Sequence, residues 1–243
     1  MSDRDAVEGF VGKWRARWPE WVAAEPFIAP DHRQRAVAWF ALRDELLDAA
    51  WSGEDARPGD AKLGWWSEEL DGWSRGARRH PLGAALQKVS APWSNLAACL
   101  PALRASRERP HDLDDALFAL EPFAEALAGI AQHLFASQAP APVPARNVAV
   151  TLLAERVLRL PDTSTPLGDI DARGWARGLL ARWPPPGDGT CPGRLHAAIV
   201  RARLLRYIQG RNPLVPRLPA LLIAWRAARG RATHLVGAAD RRS

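Results

Sequence analysis

Several residue types and patterns are scarce in this 243-residue sequence, and each scarcity excludes a class of protein. The two cysteines, Cys99 and Cys191, are too few for a disulfide scaffold or a cysteine-rich zinc site. No stretch approaches the roughly 18 uninterrupted apolar residues of a membrane span, and the charged residues 1–5 lack the apolar segment of a signal peptide. We therefore expect a cytoplasmic chain, with peripheral membrane contact left open as an alternative.

Lysine is also rare, and the charge balance therefore depends on arginine. The 33 cationic and 27 acidic residues leave a net charge of +6, yet the only lysines are Lys13, Lys62 and Lys88. Arginine suits anion binding because its planar guanidinium group grips phosphate and carboxylate. A GC-rich bacterial genome would raise the arginine content equally well, so composition alone indicates no activity.

The sequence is typical of an all-α protein. Alanine and leucine dominate, β-branched residues are sparse, and no run alternates between polar and apolar residues. Proline-rich connectors at 138–145 and 184–187 are too short to separate independent cores, so we predict one domain over residues 1–243. The predicted helices cover about residues 3–18, 31–51, 60–78, 81–90, 93–107, 112–137, 146–159, 171–183, 192–209 and 217–229, and Asp31 and Asp112 are the predicted N-caps of two of them.

The predicted helix at 31–51 is the first candidate for chemistry. It is apolar on nearly all sides, which is typical of a buried helix, yet it carries Asp44 and Asp48. Carboxylates at positions i and i+4 project side by side and could share one hard divalent cation such as Mg²⁺. The alternative is an ion pair between the aspartate and Arg43 or another core arginine.

The predicted helix at 60–78 adds an aromatic surface. Lys62, Trp66, Glu69 and Trp73 share one face of this helix, which gives an apolar wall with charged residues on it. The structural alternative is that the indoles belong to the core and that the lysine and glutamate form a solvated pair. His80, just before a proline, could bind an anion or serve as a satisfied structural histidine.

One run of this sequence resembles a known enzyme family. Residues 62–86, KLGWWSEELDGWSRGARRHPLGAAL, are similar to the squalene/phytoene synthase family in their Lys/Arg-Leu-x-x-Trp-x-x-Glu-Leu stretch, the following glycine, the His-Pro pair and the closing Ala-Leu. Asp44-x-x-x-Asp48 stands where that family keeps its first aspartate-rich motif. Residues 224–229, AWRAAR, look like the closing helix of its bacterial members.

The resemblance implies a fold, a ligand and a set of site residues. The implied fold is the all-α isoprenoid-synthase bundle with a central apolar cavity, and the implied reaction joins two prenyl diphosphates head to head with Mg²⁺. Asp44 and Asp48 would then be the Mg²⁺ ligands. The implied substrate-binding residues are Arg35, Arg43 and Lys62 toward the diphosphate, Trp65 and Trp66 along the prenyl channel, and Phe40 and Glu69 beside them.

A second aspartate-rich motif is missing from the segment where the resemblance would place it. Residues 146–162 offer Glu155 as their only helical carboxylate, and Asp162 follows a proline. Two functions therefore stay open. The first is Mg²⁺-dependent prenyl transfer with an altered second site. The second is a non-catalytic isoprenoid-binding protein, helical scaffold or assembly factor, since the family includes an assembly factor of mitochondrial respiratory complex I.

Nucleic acid is the less favoured partner. Arg201, Arg203, Arg206 and Arg211 cluster with Tyr207, and such basic surfaces can bind phosphates. However, the sequence shows no helix-turn-helix or other nucleic-acid-reading module, and the arginine bias of the whole chain explains the cluster.

Overall fold

The computed structural model describes residues 3–108, 110–135, 144–159, 171–185 and 187–229. Within these ranges the chain forms α-helices and no strand, so the prediction of an all-α fold is confirmed. The helices are α1 (Asp3–Arg17), α2 (Trp21–Ala24), α3 (Pro30–Trp51), α4 (Ala56–Ser74), α5 (Gly83–Leu86), α6 (Trp93–Ala105), α7 (Leu113–Phe135), α8 (Ala145–Arg159), α9 (Ala172–Ala181), α10 (Cys191–Ile208) and α11 (Arg217–Arg229), with a 3-10 turn at Glu25–Phe27.

The predicted helices differ from the observed ones by more than two residues at three places. Helix α2 and the 3-10 turn were not predicted, because elements of three or four residues are too short to show a helical period. The helix predicted at 81–90 is the single turn α5, after which Val89 N–H bonds to the Leu86 carbonyl three residues back. Helix α4 begins and ends about four residues earlier than the prediction of 60–78.

The two ends of α4 explain its position. The Asp55 side chain accepts a hydrogen bond from the Arg57 amide at 3.0 Å and thereby caps the N-terminus. At the other end Gly76 has a φ of +83°, and the amides of Gly76 and Ala77 bond back to the carbonyls of Trp73 and Gly72. This is a Schellman motif, which glycine makes at no steric cost.

Other predicted caps have mixed outcomes. Asp112 caps α7 as predicted, since its carboxylate accepts from the Asp115 amide at 2.8 Å. The N-cap prediction for Asp31 was wrong: Ala29 occupies the cap and Pro30 the first helical position, so Asp31 lies in the first turn. Of the predicted connector at 138–145, residues 138–143 lie outside the described residues, and Ala145 already belongs to α8.

One hydrophobic core joins helices from α1 to α11, with α3 at its centre. Helix α3 packs on α1, α4 and α5, α7 packs on α6 and α8, and α10 packs on α8, α9 and α11. Gly59 lets α4 approach α3 closely, because a Cβ atom there would lie 2.2 Å from the Ala49 carbonyl oxygen. In the described part of the chain, every helix is too short or too polar to cross a bilayer.

Candidate functional site

A buried histidine stands at the centre of the molecule with both ring nitrogens engaged. His196 of α10 is 1% exposed, and its Nδ1 lies 3.1 Å from Nε1 of Trp21. An indole N–H can only donate, so Nδ1 accepts and the imidazole proton belongs on Nε2. Nε2 in turn lies 3.0 Å from Oε1 of Glu155. Burial lowers the pKa of His196, which agrees with a neutral ring.

Glu155 of α8 receives a second donor from α3. Nη2 of Arg43 lies 2.9 Å from the same Oε1 atom, so one carboxylate oxygen binds both an imidazole and a guanidinium group. Burial alone would raise the pKa of the Glu155 carboxyl, but Arg43 and His196 outweigh burial and hold that pKa well below its usual range. Nε of Arg43 has no hydrogen-bond partner among the described residues.

Aromatic rings enclose this polar network. The ring centroids of Trp18 and Phe40 lie 4.7 and 4.5 Å from that of His196, and Trp14 stacks on Phe40 at 5.5 Å. Trp14 and Trp18 reach the same place because a spacing of four residues sets them side by side at the end of α1. Burial strengthens the Arg43–Glu155 attraction, and the hydrogen bonds to its two ring nitrogens hold His196 in one tautomer.

A cavity of about 940 Å³ opens beside the network, between α3, α7, α8, α9, α10 and α11. Phe40, Arg43 and His196 belong to its wall, and all three are buried, so they mark its inner end. The cavity exists because many of the side chains around it are short: an alanine leaves unfilled the volume that a leucine would occupy. The alanines that line the cavity are Ala128, Ala131, Ala197, Ala198, Ala202 and Ala227.

Arginine dominates the charge of the cavity wall. Among the described residues that line the cavity, the charged side chains are Arg43, Arg194, Arg201 and Arg226 against Asp188. Arg201 and Arg226 are exposed, which places them at the mouth. Within the described part of the chain neither makes an ion pair, so both can meet an anionic ligand. The rest of the wall is largely apolar.

The two predicted metal ligands lie elsewhere, in an ion-pair cluster. Nη1 of Arg17 lies 2.9 and 2.8 Å from the two carboxylate oxygens of Asp44, and Arg159 donates to the same carboxylate. Asp48 accepts from Ser52 Oγ at 2.9 Å and lies 3.6 Å from Arg17 Nη2. Asp44 therefore forms ion pairs, which was the alternative to metal binding. Its partners are Arg17 and Arg159 instead of Arg43.

This donor set does not fit a magnesium centre. A Mg²⁺ ion at Asp44 would have to displace two guanidinium groups, and the described residues contain no group of three or more aspartate, glutamate, histidine or cysteine side chains placed to hold a metal. Asp162 and Asp169 lie outside the described residues, and Asp171 caps α9 by accepting from the Gly174 amide. The assignment of Mg²⁺ to Asp44 and Asp48 stays a prediction.

The predicted substrate residues divide into two groups. Phe40 and Arg43 line the cavity. The other five do not line it. Arg35 donates to the Leu134 carbonyl at 3.0 Å, and Nζ of Lys62 lies 2.7 Å from Glu45. The five residues outside the cavity wall are Arg35, Lys62, Trp65, Trp66 and Glu69.

Glu69 has a clear structural role. Its Oε1 accepts from Nε1 of Trp73 and from the amides of Arg79 and His80, each at 2.7 Å. Burial alone would raise the pKa of this carboxyl. The hydrogen bonds from these donors and from the Arg79 guanidinium together lower the pKa by more than burial raises it, so the net shift is downward. Glu69 therefore holds the Arg79–His80 turn against α4.

His80 completes the same structural cluster. Its Nδ1 accepts from the Leu82 amide at 3.2 Å, and its ring packs against Phe10 and Trp66 with centroid distances of 4.4 and 4.5 Å. Burial lowers the pKa of His80 to about 4. His80 is thus a satisfied structural histidine, the second of the two alternatives. Trp66 is fully buried in the core, and Trp65 is its partly exposed neighbour.

Comparison with known proteins adds no relative. No family model, no curated protein and no solved structure matches this chain. The resemblance to the squalene/phytoene synthase family therefore stays a prediction. The run that carries it, residues 62–86, contains the Glu69 and His80 contacts, so in this molecule that run has a local structural role.

Sequence reasoning missed the network of Trp21, Glu155 and His196. One signal was present: Glu155 is a single carboxylate within the apolar stretch of α8, and such a residue needs a buried partner. Trp21 had no comparable signal, because it lies in a four-residue helix and meets His196 from 175 residues away.

Proposed function

We propose that this protein binds a prenyl diphosphate, or a related anionic isoprenoid, in the cavity between α3 and α7–α11. The observation that carries the proposal is a largely apolar cavity of about 940 Å³, in whose wall the charged residues that the structure describes are four arginines and one aspartate. Pockets for small molecules commonly measure roughly 300–1,000 Å³, so the space suits one extended amphiphile.

The charge pattern supports a definite orientation of the ligand. The diphosphate belongs at the mouth, where Arg201 and Arg226 are exposed and guanidinium groups can bind phosphate oxygens bidentately. The hydrocarbon chain belongs along the alanine-lined face of α10 and ends near Phe40. Burial of the chain gives most of the affinity through the hydrophobic effect. The choice of an isoprenoid over another lipid rests on the resemblance of residues 62–86.

The same geometry supports binding without metal-dependent chemistry. Ionisation of an allylic diphosphate needs cations to carry the leaving charge. The carboxylates that a metal site would use are held by arginine at Asp44 and by arginine and histidine at Glu155. A non-catalytic isoprenoid-binding protein is therefore the function we favour over a prenyltransferase.

Calorimetric titration in the presence of EDTA tests this proposal. We expect farnesyl diphosphate to bind at one site. Farnesol lacks the diphosphate group and inorganic diphosphate lacks the hydrocarbon chain, so each should bind at least about ten-fold more weakly. Palmitate binding as tightly as farnesyl diphosphate would contradict the isoprenoid assignment. Diphosphate release on addition of Mg²⁺, abolished by Asp44→Ala and Asp48→Ala, would contradict the non-catalytic assignment.

A pair of alanine variants locates the site. Ala198→Trp fills the cavity from α10, so we expect it to abolish farnesyl diphosphate binding. Ala98→Trp adds the same side chain at an exposed position of α6 and should leave the affinity unchanged. Equal affinities for the two variants would place the ligand outside the cavity.

A further inference from the structure

Helix α11 presents an apolar stripe to solvent. Leu218, Leu221, Leu222 and Trp225 are 80%, 44%, 47% and 40% exposed. Their spacing of i, i+3, i+4 and i+7 puts them on one side of the helix, opposite the buried Ala220 and Ala224 that face the core. Monomeric soluble proteins rarely expose contiguous apolar patches of this kind, so the stripe indicates an interaction surface.

All charged side chains in the segment that forms α10 and α11 are arginines. The segment Cys191–Arg229, which spans α10 and α11, contains eight arginines and no aspartate or glutamate. Arg217 and Arg229 are exposed at the two ends of α11, and the Arg229 guanidinium lies 4.3 Å from the ring centroid of Trp225. Leucine and tryptophan bordered by arginine are the side chains with which an interfacial helix binds an anionic bilayer.

We propose that α11 docks this protein on an anionic membrane surface, with Leu218, Leu221, Leu222 and Trp225 entering the interface and Arg217 and Arg229 contacting lipid phosphates. A second copy of the chain is a poorer occupant, because two arginine-rich faces repel each other. Nucleic acid is also a poorer occupant, because it would use the arginines and leave the leucines in water.

The position of α11 links this surface to the cavity. The side of α11 that carries Ile223, Arg226 and Ala227 lines the cavity, while the leucine stripe faces away from the core. A protein docked in this way holds the cavity mouth close to the lipid. The docking surface stands on its own residues, so it does not depend on which ligand the cavity takes.

Vesicle flotation with the full chain tests the docking surface. We expect the protein to float with vesicles of phosphatidylcholine and phosphatidylglycerol in equal parts, to float poorly with phosphatidylcholine alone, and to be released by added salt. Leu218→Ser/Leu222→Ser should weaken the flotation at least about ten-fold, since two exposed leucines no longer enter the interface. Phe118→Ser removes an equally exposed apolar side chain from α7 and should change nothing.

Substitution of two arginines distinguishes electrostatic attraction to the membrane from insertion of the apolar side chains. Arg217→Gln/Arg229→Gln should lower the flotation and flatten its salt dependence, whereas Arg75→Gln/Lys88→Gln, two exposed cations outside α10 and α11, should not. Leu218 and Leu222 do not line the cavity, so their variant should bind farnesyl diphosphate as the wild type does. Three results would each overturn the proposal: no flotation, equal flotation with neutral lipid, or a dimer that the leucine substitutions dissociate.

Discussion

The indole N–H of Trp21 donates to Nδ1 of His196 at 3.1 Å and fixes the histidine as the Nε2–H tautomer that binds Glu155. This contact ties α2 to α10 and α8 across the centre of the fold. It also turns a titratable residue into a fixed part of the cavity wall, because both ring nitrogens have partners and the ring is buried.

Two tryptophan variants measure this contact. Trp21→Phe removes a buried donor that has a partner, whereas Trp18→Phe removes an indole N–H that has no partner among the described residues. Both rings are buried and both variants lose similar volume. We expect Trp21→Phe to lower the free energy of unfolding by about 1–2 kcal/mol more than Trp18→Phe in urea denaturation. Equal losses would show that the hydrogen bond contributes nothing.

The Asp44 cluster predicts a strong contrast between neighbouring aspartates. Asp44→Asn leaves Arg17 and Arg159 without their shared carboxylate, and Asp44 is largely buried, so we expect a loss of about 2–3 kcal/mol in stability. Asp48→Asn should cost less than about 1 kcal/mol, because its side chain is 40% exposed. Chemical denaturation of both variants checks the order.

The same cluster predicts the response to magnesium. If arginines satisfy Asp44, Mg²⁺ should raise the Tm no more than NaCl of equal ionic strength, because a ligand stabilises a protein only when it binds the folded state. A Mg²⁺-specific rise that Asp48→Asn removes would restore the metal site expected from the aspartate spacing.

Glu69 and its neighbour Glu68 form a matched pair. Glu69→Gln replaces a buried carboxylate that accepts from Trp73 and from two backbone amides, so we expect a loss of about 2–3 kcal/mol. Glu68→Gln changes a side chain that is 73% exposed and 3.5 Å from Arg79, so its effect should stay below about 0.5 kcal/mol. Equal effects would contradict the structural role given to the Glu69 carboxylate.

The lowered pKa of His80 predicts a loss of stability at mildly acidic pH. The unfolded chain binds a proton at His80 below about pH 6.5, but the folded protein binds it only near pH 4. The free energy of unfolding therefore falls as the pH drops through that window. We expect His80 to contribute about 1–2 kcal/mol to this fall, because the ring keeps some solvent contact.

A histidine variant isolates that contribution. His80→Phe keeps the ring packing against Phe10 and Trp66, and its unfolding free energy should vary less between pH 7 and about pH 4.5 than that of the wild type. Other groups whose pKa is also lowered, among them His196, Glu69 and Glu155, should give the remaining slope. An unchanged slope would mean that His80 titrates alike in both states.

The sequence predicted the fold better than the site, for physical reasons. Helical period, alanine content and caps such as Asp112 are local signals, and they located most helices. Which residues meet is decided by packing between distant segments. From the sequence alone, Asp44 could bind either a metal ion or an arginine, and no partner for Glu155 could be identified. The packing of distant segments places Arg17 and Arg159 beside Asp44, and His196 beside Glu155.

The cavity illustrates the same limit. Phe40 and Arg43 were predicted to bind substrate and do line the cavity, because they lie on a helix that is buried on nearly all sides. Arg201 and Arg226 belong to its mouth, yet the sequence showed Arg201 only as one of a cluster of arginines considered for nucleic acid, and Arg226 follows it 25 residues later. Their approach to one opening depends on how α10 and α11 pack.

Titration of the double variant Arg201→Gln/Arg226→Gln with farnesyl diphosphate tests the central claim most directly. We predict at least about a ten-fold loss of affinity relative to the wild type, together with unchanged weak binding of farnesol, because only the diphosphate contacts are removed. The control Arg75→Gln/Lys88→Gln loses the same charge away from the cavity and should bind as the wild type does. Equal affinities for the two double variants would contradict an anion site at the cavity mouth.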